Sequence, residues 1–475
     1  WENETNDHET TRTQAARWGL PMEAIEGLPA RLRMFWLEYG RSARTRTRDT
    51  RAYGLVYLSG LLRMEAKRNI AQIARSGEVS PQNMQHFMSQ SPWSADQMIA
   101  KMQRAVAERP ELAGGMLILD ESADKKSGSK TVAVGRQYNG RQGKVDLCQV
   151  GTFLAYAHNG IWTWIHGEIF VPERWFSPEY AARRAKAGIP EQWEFKTKIE
   201  LGWAMIEQSL VQGLPFVAVA FDSLYGRSTW LLNQCRTANI EFYADLPESA
   251  LVYRQLPTLD ANGQVVGQTA VAVKTLSTAR ETHWQTVDIR PADRGILRTD
   301  FARIPVWTVQ PDGTICAETL LIRRDKKRLV YTLTNAAPEL PLETVAFRKS
   351  ERYFVERSIQ DAKSELGWDD LQAIKLQAWQ HQLALTLLAS WFIAETRLDW
   401  RKQYPPDPTL LEEYDRDDIL MDVLPELSVA NVRELLRATL PLPQLSPEEA
   451  AVLVMSHLDN RTRSRRSKLK RQRGL

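Results

Sequence analysis

The sequence predicts an α/β fold built on a mixed β-sheet with flanking helices. Three strand-like segments follow one another, and a strand, a helix and a further strand succeed them. A helical region precedes this block, and a run of short β-type segments separates it from a second helical region. The 475 residues, of which 43% are hydrophobic and 25% charged, have the composition of a globular protein. The length suggests roughly three domains.

The first helical region predicts an N-terminal helical domain over residues 1–110. From Asp49 to Val106, apolar residues recur at the three- and four-residue spacing of packed helices. The stretch NIAQIARSGEVSPQNMQHFMSQ predicts two short helices around a turn, the second with Ser80 as N-cap and Pro81 at its first position. We expect a DNA-binding domain of the helix-turn-helix kind, although many small helical bundles share this pattern.

Residues 111–246 predict the first part of a central domain. Its expected elements are strands at Met116–Leu119, Thr131–Gly135 and Val150–Ala157, a helix at Lys196–Val211, a strand in FVAVAFDS, a helix at Ser228–Thr237 and a strand in IEFYADL. Three strands in a meander, followed by strand, helix and strand, form the chain order of a ribonuclease H-like mixed sheet.

The rest of the chain predicts an insertion and a return to helices. Over 247–340, short β-type runs such as HWQTVDIR and RLVYTLT alternate with turn residues, which predicts an all-β insertion. Helical periodicity over 341–401 predicts the second part of the central domain, and YPPDPT ends it. Residues 402–475 predict a C-terminal helical segment of short helices before a basic tail, with breaks at Pro425, Pro441 and Pro443.

Positive charge is concentrated in two blocks, although the net charge is only +4. The last fifteen residues, RTRSRRSKLKRQRGL, contain eight Lys or Arg, so the rest of the chain carries −4. The segment Arg31–Arg51 places seven arginines among Phe35, Trp36 and Tyr39. Both blocks suit contact with nucleic-acid phosphates, but such blocks are more often solvated faces or disordered tails.

Cysteine usage and hydropathy favour a cytoplasmic protein. Cys148, Cys235 and Cys316 are isolated, with neither a CxxC pair nor a histidine cluster beside them, so the thiols fit a reducing compartment better than a structural zinc site. No apolar run approaches the roughly 18 residues of a membrane span. The amino end WENETNDHETTRTQ is polar and acidic, unlike a signal peptide.

Two aspartates end predicted strands. Asp120 follows the apolar run MLIL, and Asp222 ends FVAVAFD. In a sheet of this strand order the two strands are neighbours, so we expect both carboxylates at the same edge. The alternative is that each is an ordinary turn aspartate, which is the commoner role for a single Asp at a strand end.

A third carboxylate lies in the helix predicted by SERYFVERSIQDAKSELG. At about 100° per residue, Arg352, Glu356 and Lys363 fall together beside an apolar stripe. These residues could simply form helix salt bridges worth a few tenths of a kcal/mol. Three carboxylates brought together would repel, however, and Mg²⁺ or Mn²⁺ relieves such repulsion by binding carboxylate oxygens, water and phosphate. Two such ions can drive an in-line phosphodiester displacement.

Three blocks of the sequence resemble DDE transposases of bacterial insertion sequences. The blocks are LILDESADKKSGSKTVAVGRQYNGRQGKVDLCQVG, VAFDSLYGRSTWLL and RYFVERSIQDAKSELG…QAWQHQLALTLLA. The branch with a β-rich insertion has a signature of Tyr, two residues, Arg, three residues, Glu, six residues and Lys. Arg352, Glu356 and Lys363 match it in register, whereas Lys349 occupies its tyrosine position and Tyr353 is nearby.

The resemblance implies that Asp120, Asp222 and Glu356 are the catalytic residues and bind two Mg²⁺ or Mn²⁺ ions. It further implies that Arg352 and Lys363 orient Glu356 and contact DNA. Further candidates for DNA contact are Lys349, Lys125 and Lys126.

The implied activity is cut-and-paste transposition by a nucleoid-associated homodimer, with no membrane partner. Such an enzyme binds terminal inverted repeats in double-stranded DNA, cleaves at the element ends and joins the 3′-hydroxyls to target DNA. Members of the branch often form hairpin ends with a flipped base that stacks on an aromatic residue, for which the insertion offers Trp284 and Trp307. The alternatives are a nuclease or resolvase without strand transfer, or a domesticated, non-catalytic DNA-binding regulator.

Overall fold

The computed structural model describes residues 2–46, 48–126, 128–139, 143–292, 295–325, 328–410, 426–440 and 445–473. The N-terminal part of the described residues contains seven α-helices: α1 Glu2–Arg17, α2 Met22–Glu26, α3 Leu28–Tyr39, α4 Arg51–Arg63, α5 Ile70–Ser76, α6 Pro81–Ser89 and α7 Ala95–Ala107. The predicted start of α6 is confirmed, since Ser80 accepts a hydrogen bond from the backbone N–H of Asn83 and Pro81 follows it.

The central sheet has the predicted ribonuclease H-like order. Its first six strands are β1 Gly115–Lys125, β2 Gly135–Asn139, β3 Lys144–His158, β4 Ile161–Phe170, β5 Phe216–Phe221 and β6 Glu241–Leu246. Strand β1 pairs antiparallel with β3 and parallel with β5, β3 pairs antiparallel with β4, and β5 pairs parallel with β6. Helices α8 Ala181–Ala187, α9 Lys198–Val211, α10 Ser223–Gly226 and α11 Thr229–Thr237 connect β4, β5 and β6. The predicted mixed α/β fold is confirmed.

The strand predicted at Thr131–Gly135 is wrong, and the second strand of the meander is instead β3. Val132, Ala133 and Val134 are buried in a turn, where Ala133 has a positive φ of 54°. Their apolar character reflects packing of this turn: Val132 donates its N–H to the backbone oxygen of Ala373. The third meander strand, β4, was not predicted, although Asn159 and Gly160 mark the hairpin turn before it.

The β-rich segment continues the same sheet. Its strands are β7 Leu251–Val252, β8 Thr258–Leu259, β9 Val265–Val266, β10 Val271–Ala272, β11 Trp284–Ala292, β12 Gly295–Val309, β13 Ile315–Asp325 and β14 Arg328–Thr334, with helix α12 Val273–Leu276 between β10 and β11. Strands β11 to β14 form an antiparallel meander, and β14 pairs with β6, so the sheet has ten strands. The four short strands form two separate two-stranded sheets.

The C-terminal helices pack the sheet against the N-terminal helices. They are α13 Leu342–Ser350, α14 Tyr353–Ser364, α15 Leu376–Gln403, α16 Val429–Thr439 and α17 Pro447–Arg473. Helix α15 is buried along most of its length and contacts β4, α4, α6 and α7. Its His381 approaches the backbone oxygens of Met88 and Trp93. The core therefore includes both helical regions.

The basic tail belongs to a long helix. Residues 461–473 are the last turns of α17, whereas Pro425, Pro441 and Pro443 lie outside the described residues. Within the part of the chain that the structure describes, no helix combines the length and apolarity needed to cross a membrane.

Candidate active site

A row of three aspartates crosses neighbouring strands of the sheet. Leu119 of β1 is paired with Phe221 of β5, and Phe221 is paired with Ala244 of β6. The next residue on each strand is an aspartate, so Asp120, Asp222 and Asp245 lie at the same level. The register places the first two side by side as predicted, but the predicted strand end at Asp120 is wrong, because β1 continues to Lys125 in its pairing with β3. Asp245 is a third acid that the sequence pattern did not single out.

Asp222 also serves as the N-cap of α10. Its Oδ1 accepts hydrogen bonds from the N–H groups of Leu224 at 2.9 Å and Tyr225 at 3.4 Å. The alternative of a turn aspartate therefore describes its local role correctly. A carboxylate has two oxygens, however, so capping through Oδ1 does not prevent Oδ2 from contacting a ligand.

The environment of Asp120 disfavours an isolated negative charge. Burial raises the pKa of Asp120 to about 7, the nearby charge of Asp222 acts in the same direction, and Arg352 opposes both effects. Its Oδ1 accepts a hydrogen bond of 2.8 Å from the N–H of Glu121. Mutual repulsion between Asp120 and Asp222 is the electrostatic condition that a bound cation relieves.

Arg352 brings the third predicted carboxylate to this edge. It lies at the N-terminus of α14, one turn before Glu356, and its Nη2 is 2.7 Å from Glu356 Oε1. The Nη1 of the same guanidinium is 3.8 Å from Asp120 Oδ2. Glu356 has a 55% exposed side chain, so it faces solvent while Asp120 is enclosed. One guanidinium thus connects the sheet edge to the helix.

Asp245 completes the contacts of that guanidinium. Its Oδ2 is 3.3 Å from Arg352 Nε, and its Oδ1 is 2.7 Å from both Lys349 Nζ and Thr332 Oγ1. The sequence did contain a signal for this residue, because IEFYADL ends a predicted strand in aspartate just as FVAVAFD does.

The predicted DNA-binding lysines differ in accessibility. Lys349 is 2% exposed and paired with Asp245, and Lys126 is also buried, with its ammonium donating to the backbone oxygen of Leu371. Burial removes both from the surface that a phosphate can reach, which argues against direct DNA contact by these two residues. Lys363 is 2.6 Å from Asp124 and mostly buried, whereas Lys125 is exposed.

The basic block at Arg31–Arg51 is not an aromatic stacking surface. Phe35, Trp36 and Tyr39 are buried in the core, so they cannot stack on nucleotides. Arg31 forms ion pairs with Glu395 and Asp399 of α15. The exposed arginines of the block are Arg33, Arg41, Arg44, Arg46 and Arg48.

A cleft of about 1410 Å³ opens beside the acids. Its lining residues include Asp222 and Glu356, Arg290 and Arg323 from the β-rich segment, and Arg461 and Arg465 from the basic tail. Nine Lys or Arg and seven Asp or Glu line it, so its net charge is positive. This volume exceeds that of an ordinary small-molecule pocket, which is about 300–1,000 Å³.

Tyr353 is the exposed one of the five Trp, Tyr and Phe residues among the described residues that line the cleft. Its ring is 50% exposed and lies 4.9 Å from the guanidinium of Arg290. Trp284 and Trp307 are not among the described residues that line the cleft. Trp284 instead packs under Arg324, whose guanidinium is 4.0 Å from its ring.

These features agree with a comparison against known protein families. A family model described as "DDE superfamily endonuclease" matches residues 42–299, which is more than half of the chain. The chain belongs to this family. The matched region contains Asp120 and Asp222 but ends before Glu356.

A curated relative points in the same direction over a shorter stretch. The chain is similar to a protein of Microchaete diplosiphon named "Probable transposase for insertion sequence element IS701", with 29% identity over 163 residues. The similar region is 34% of this chain and 40% of the relative, so the chain covers less than half of that protein's length.

The acids at this site are of the residue type that binds divalent cations. Such endonucleases generally use divalent metal ions, and carboxylate oxygens are the ligands that Mg²⁺ prefers. Among the described residues, no group of three or more His, Cys, Asp or Glu is arranged closely enough to hold a metal ion. Asp120 and Asp222 form a repelling pair, and Glu356 is turned toward Arg352. The residue types therefore suit a divalent cation, although the three acids are not gathered around one point while Arg352 holds Glu356.

Proposed function

We propose that this DDE endonuclease is a cut-and-paste DNA transposase of the insertion-sequence type. It would bind terminal inverted repeats, cleave at the element ends and join the 3′-hydroxyls to target DNA. The proposal depends on one observation: Asp120 and Asp222 follow paired residues of the neighbouring parallel strands β1 and β5, and Arg352 links Asp120 to Glu356. Similarity to a probable insertion-sequence transposase supports the same function.

In this proposal, Asp120, Asp222 and Glu356 hold two Mg²⁺ or Mn²⁺ ions. When bound, such ions activate a water or a 3′-hydroxyl and stabilise the leaving oxygen of a phosphodiester. Arg352 holds Glu356 beside the sheet edge. The matching positions of Arg352, Glu356 and Lys363 support the branch with the Tyr-Arg-Glu-Lys signature, although Lys349 replaces its tyrosine.

The cleft is the proposed path of the DNA. Arg290, Arg323 and Arg461 line the same cleft as Asp222 and Glu356, and each phosphate that such residues neutralise strengthens binding in a salt-dependent way. Tyr353 presents an exposed ring at the same place, which suits stacking with an unpaired base better than the two tryptophans that the sequence suggested. The cleft therefore offers both phosphate and base contacts.

Recognition of the element ends is assigned to the N-terminal helices. Helix α6 buries Met84, Phe87 and Met88 and leaves one polar face exposed, which consists of Gln82, Asn83, Gln85 and His86. Amide side chains of this kind can read adenine in the major groove. This helix contacts α4, because Asn83 Nδ2 donates to the Tyr53 hydroxyl. Two ends must be held together, which favours a homodimer on DNA.

A joining assay tests the proposal. Purified protein is incubated with a duplex that ends in a pre-cleaved 3′-hydroxyl terminus of its element, a supercoiled target plasmid and Mg²⁺. Joined product supports the transposase. Cleavage of an uncut end without joining would favour the nuclease or resolvase, and binding without cleavage or joining would favour a non-catalytic regulator.

A further inference from the structure

The third aspartate of the row differs from the other two in its partners. Asp245 is at the level of Asp120 and Asp222, yet it is buried, and its oxygens are engaged by Lys349, Thr332 and Arg352 at 2.7 to 3.3 Å. Protein donors engage both oxygens of Asp245, two at Oδ1 and one at Oδ2, so it has fewer lone pairs free for a metal ion than Asp222, whose two backbone hydrogen bonds are both at Oδ1.

Lys349 and Arg352 lie three residues apart across the junction of α13 and α14, and both point at Asp245. Lys349 balances the charge of Asp245, so the charge of Arg352 remains available to Asp120 and Glu356. Arg352 is a branched donor whose planar fork holds several carboxylates in a fixed geometry. Its orientation toward the two acids therefore depends on the contact of its Nε with Asp245.

Backbone packing fixes Asp245 itself. A Cβ built on Gly226 of α10 would lie 2.1 Å from the backbone oxygen of Asp245, so α10 contacts β6 closely at this residue. Asp222 is the N-cap of the same helix. The position of Asp245 is thus rigidly related to that of Asp222.

We propose that Asp245 is a positioning residue of the active site, which anchors Arg352 and thereby sets where Glu356 and the charge beside Asp120 lie. Lys349, in place of the tyrosine of the family signature, neutralises this anchor. This inference rests on the proposed function, because it concerns the acids proposed to hold the ions. Partners of this kind commonly change metal affinity or activity by about 10- to 100-fold when removed.

The test measures Mn²⁺ binding to the full-length protein without DNA, by the loss of the free Mn²⁺ electron paramagnetic resonance signal. Asp245→Asn is expected to weaken Mn²⁺ binding by about 10- to 100-fold, because Arg352 then pairs more fully with Asp120 and Glu356. DNA binding measured without metal is expected to stay within about twofold, since the cleft arginines are untouched. Single-turnover cleavage is measured in parallel.

Two further variants separate positioning from a general loss of stability. Asp245→Asn combined with Lys349→Met removes both buried charges, so it restores charge balance while leaving Arg352 without its anchor. We expect Mn²⁺ binding to remain weak in this double variant even where its thermal stability recovers. Glu241→Gln is the matched control, because Glu241 lies on the same strand and pairs with Arg348 of α13 at 2.8 Å.

The outcomes are distinct. Wild-type Mn²⁺ affinity in a folded Asp245→Asn variant, or full recovery in the double variant, would overturn the positioning role. If Asp245→Asn alone fails to fold, the double variant decides the question. A wild-type protein that neither binds Mn²⁺ nor cleaves DNA would instead refute the proposed function.

Discussion

Glu351 provides a test of the electrostatics at the cleft that needs neither DNA nor metal. Glu351 lies between Lys349 and Arg352 in the sequence, is 1% exposed, and has no hydrogen-bond partner among the described residues at either oxygen. Burial raises the pKa of Glu351 to about 7, although the charge of Arg290 opposes this shift. The carboxyl group is therefore neutral in the folded protein at mildly acidic pH.

The sign of the effect follows from comparing the folded and unfolded states. The pKa of Glu351 is about 7 in the folded protein, against 4.5 for an unperturbed glutamate, so the folded state binds the proton more tightly. The contribution of the protonated Glu351 to the free energy of unfolding is complete below pH 4.5 and is lost as the pH rises through 7. A difference of this size corresponds to about 3 kcal/mol, at about 1.4 kcal/mol per unit.

The perturbation is Glu351→Gln, which keeps the shape of the protonated acid and cannot ionise. We expect the variant to be more stable than the wild type by up to about 3 kcal/mol at pH 8 and nearly equal to it at pH 4.5. Glu343→Gln, an exposed position on helix α13, is the control and should show no such trend.

The assay is chemical unfolding followed by fluorescence at several pH values between 4.5 and 8. The difference between variant and wild type is the quantity of interest, because the other titrating groups contribute equally to both proteins. A difference that does not change with pH, or that grows as the pH falls, would show that Glu351 is not held neutral by burial.

Three further predictions concern catalysis, DNA binding and packing. Asp120→Asn or Glu356→Gln should lower the rate of end cleavage by about 10³-fold or more, because several kcal/mol of charge stabilisation are lost. Binding of the element end in a gel-shift assay should stay largely intact. Normal cutting in Mg²⁺ by either variant would contradict the assignment. Deletion of residues 461–475 should weaken DNA binding and reduce the slope of log affinity against log salt by about 0.9 for each lost phosphate contact, and an unchanged slope in fluorescence anisotropy would show that the tail does not contact DNA. Gly226→Ala should cost about 1–3 kcal/mol in unfolding experiments, since its Cβ would meet the backbone of β6 at 2.1 Å, whereas Gly128→Ala, with no atom nearby, should be neutral.

Local sequence signals predicted the elements that depend on near neighbours along the chain. Ser80 and Pro81 begin α6 as expected, and Ser228 caps the helix Thr229–Thr237. Caps and periodicity are readable because the atoms that satisfy the first N–H groups of a helix lie within a few residues. The same signals failed at Val132–Val134, where apolar residues pack a turn against the backbone of Ala373 rather than forming a strand.

The candidate site was partly predictable for the same reason. Asp120 and Asp222 lie on or next to strands that a ribonuclease H-like sheet places side by side, so the strand order alone brings them together, although β1 continues past Asp120 to Lys125. The sequence could not distinguish Asp222 from Asp245, since both follow apolar runs at a strand end. Only the arrival of Lys349 and Arg352 from a later helix engages one aspartate and not the other.

Hydrophobic periodicity and strand order were enough to predict the mixed sheet and the order of the helices, because these features are encoded locally. Three others depend on tertiary packing: the β-rich segment extends the central sheet through β14 and β6, Lys349 is buried, and one guanidinium contacts Asp120, Asp245 and Glu356. The physical reason is that charge pairing and burial depend on which distant segments of the chain come into contact. A Lys or Arg side chain can contact DNA only where this packing leaves it exposed to solvent.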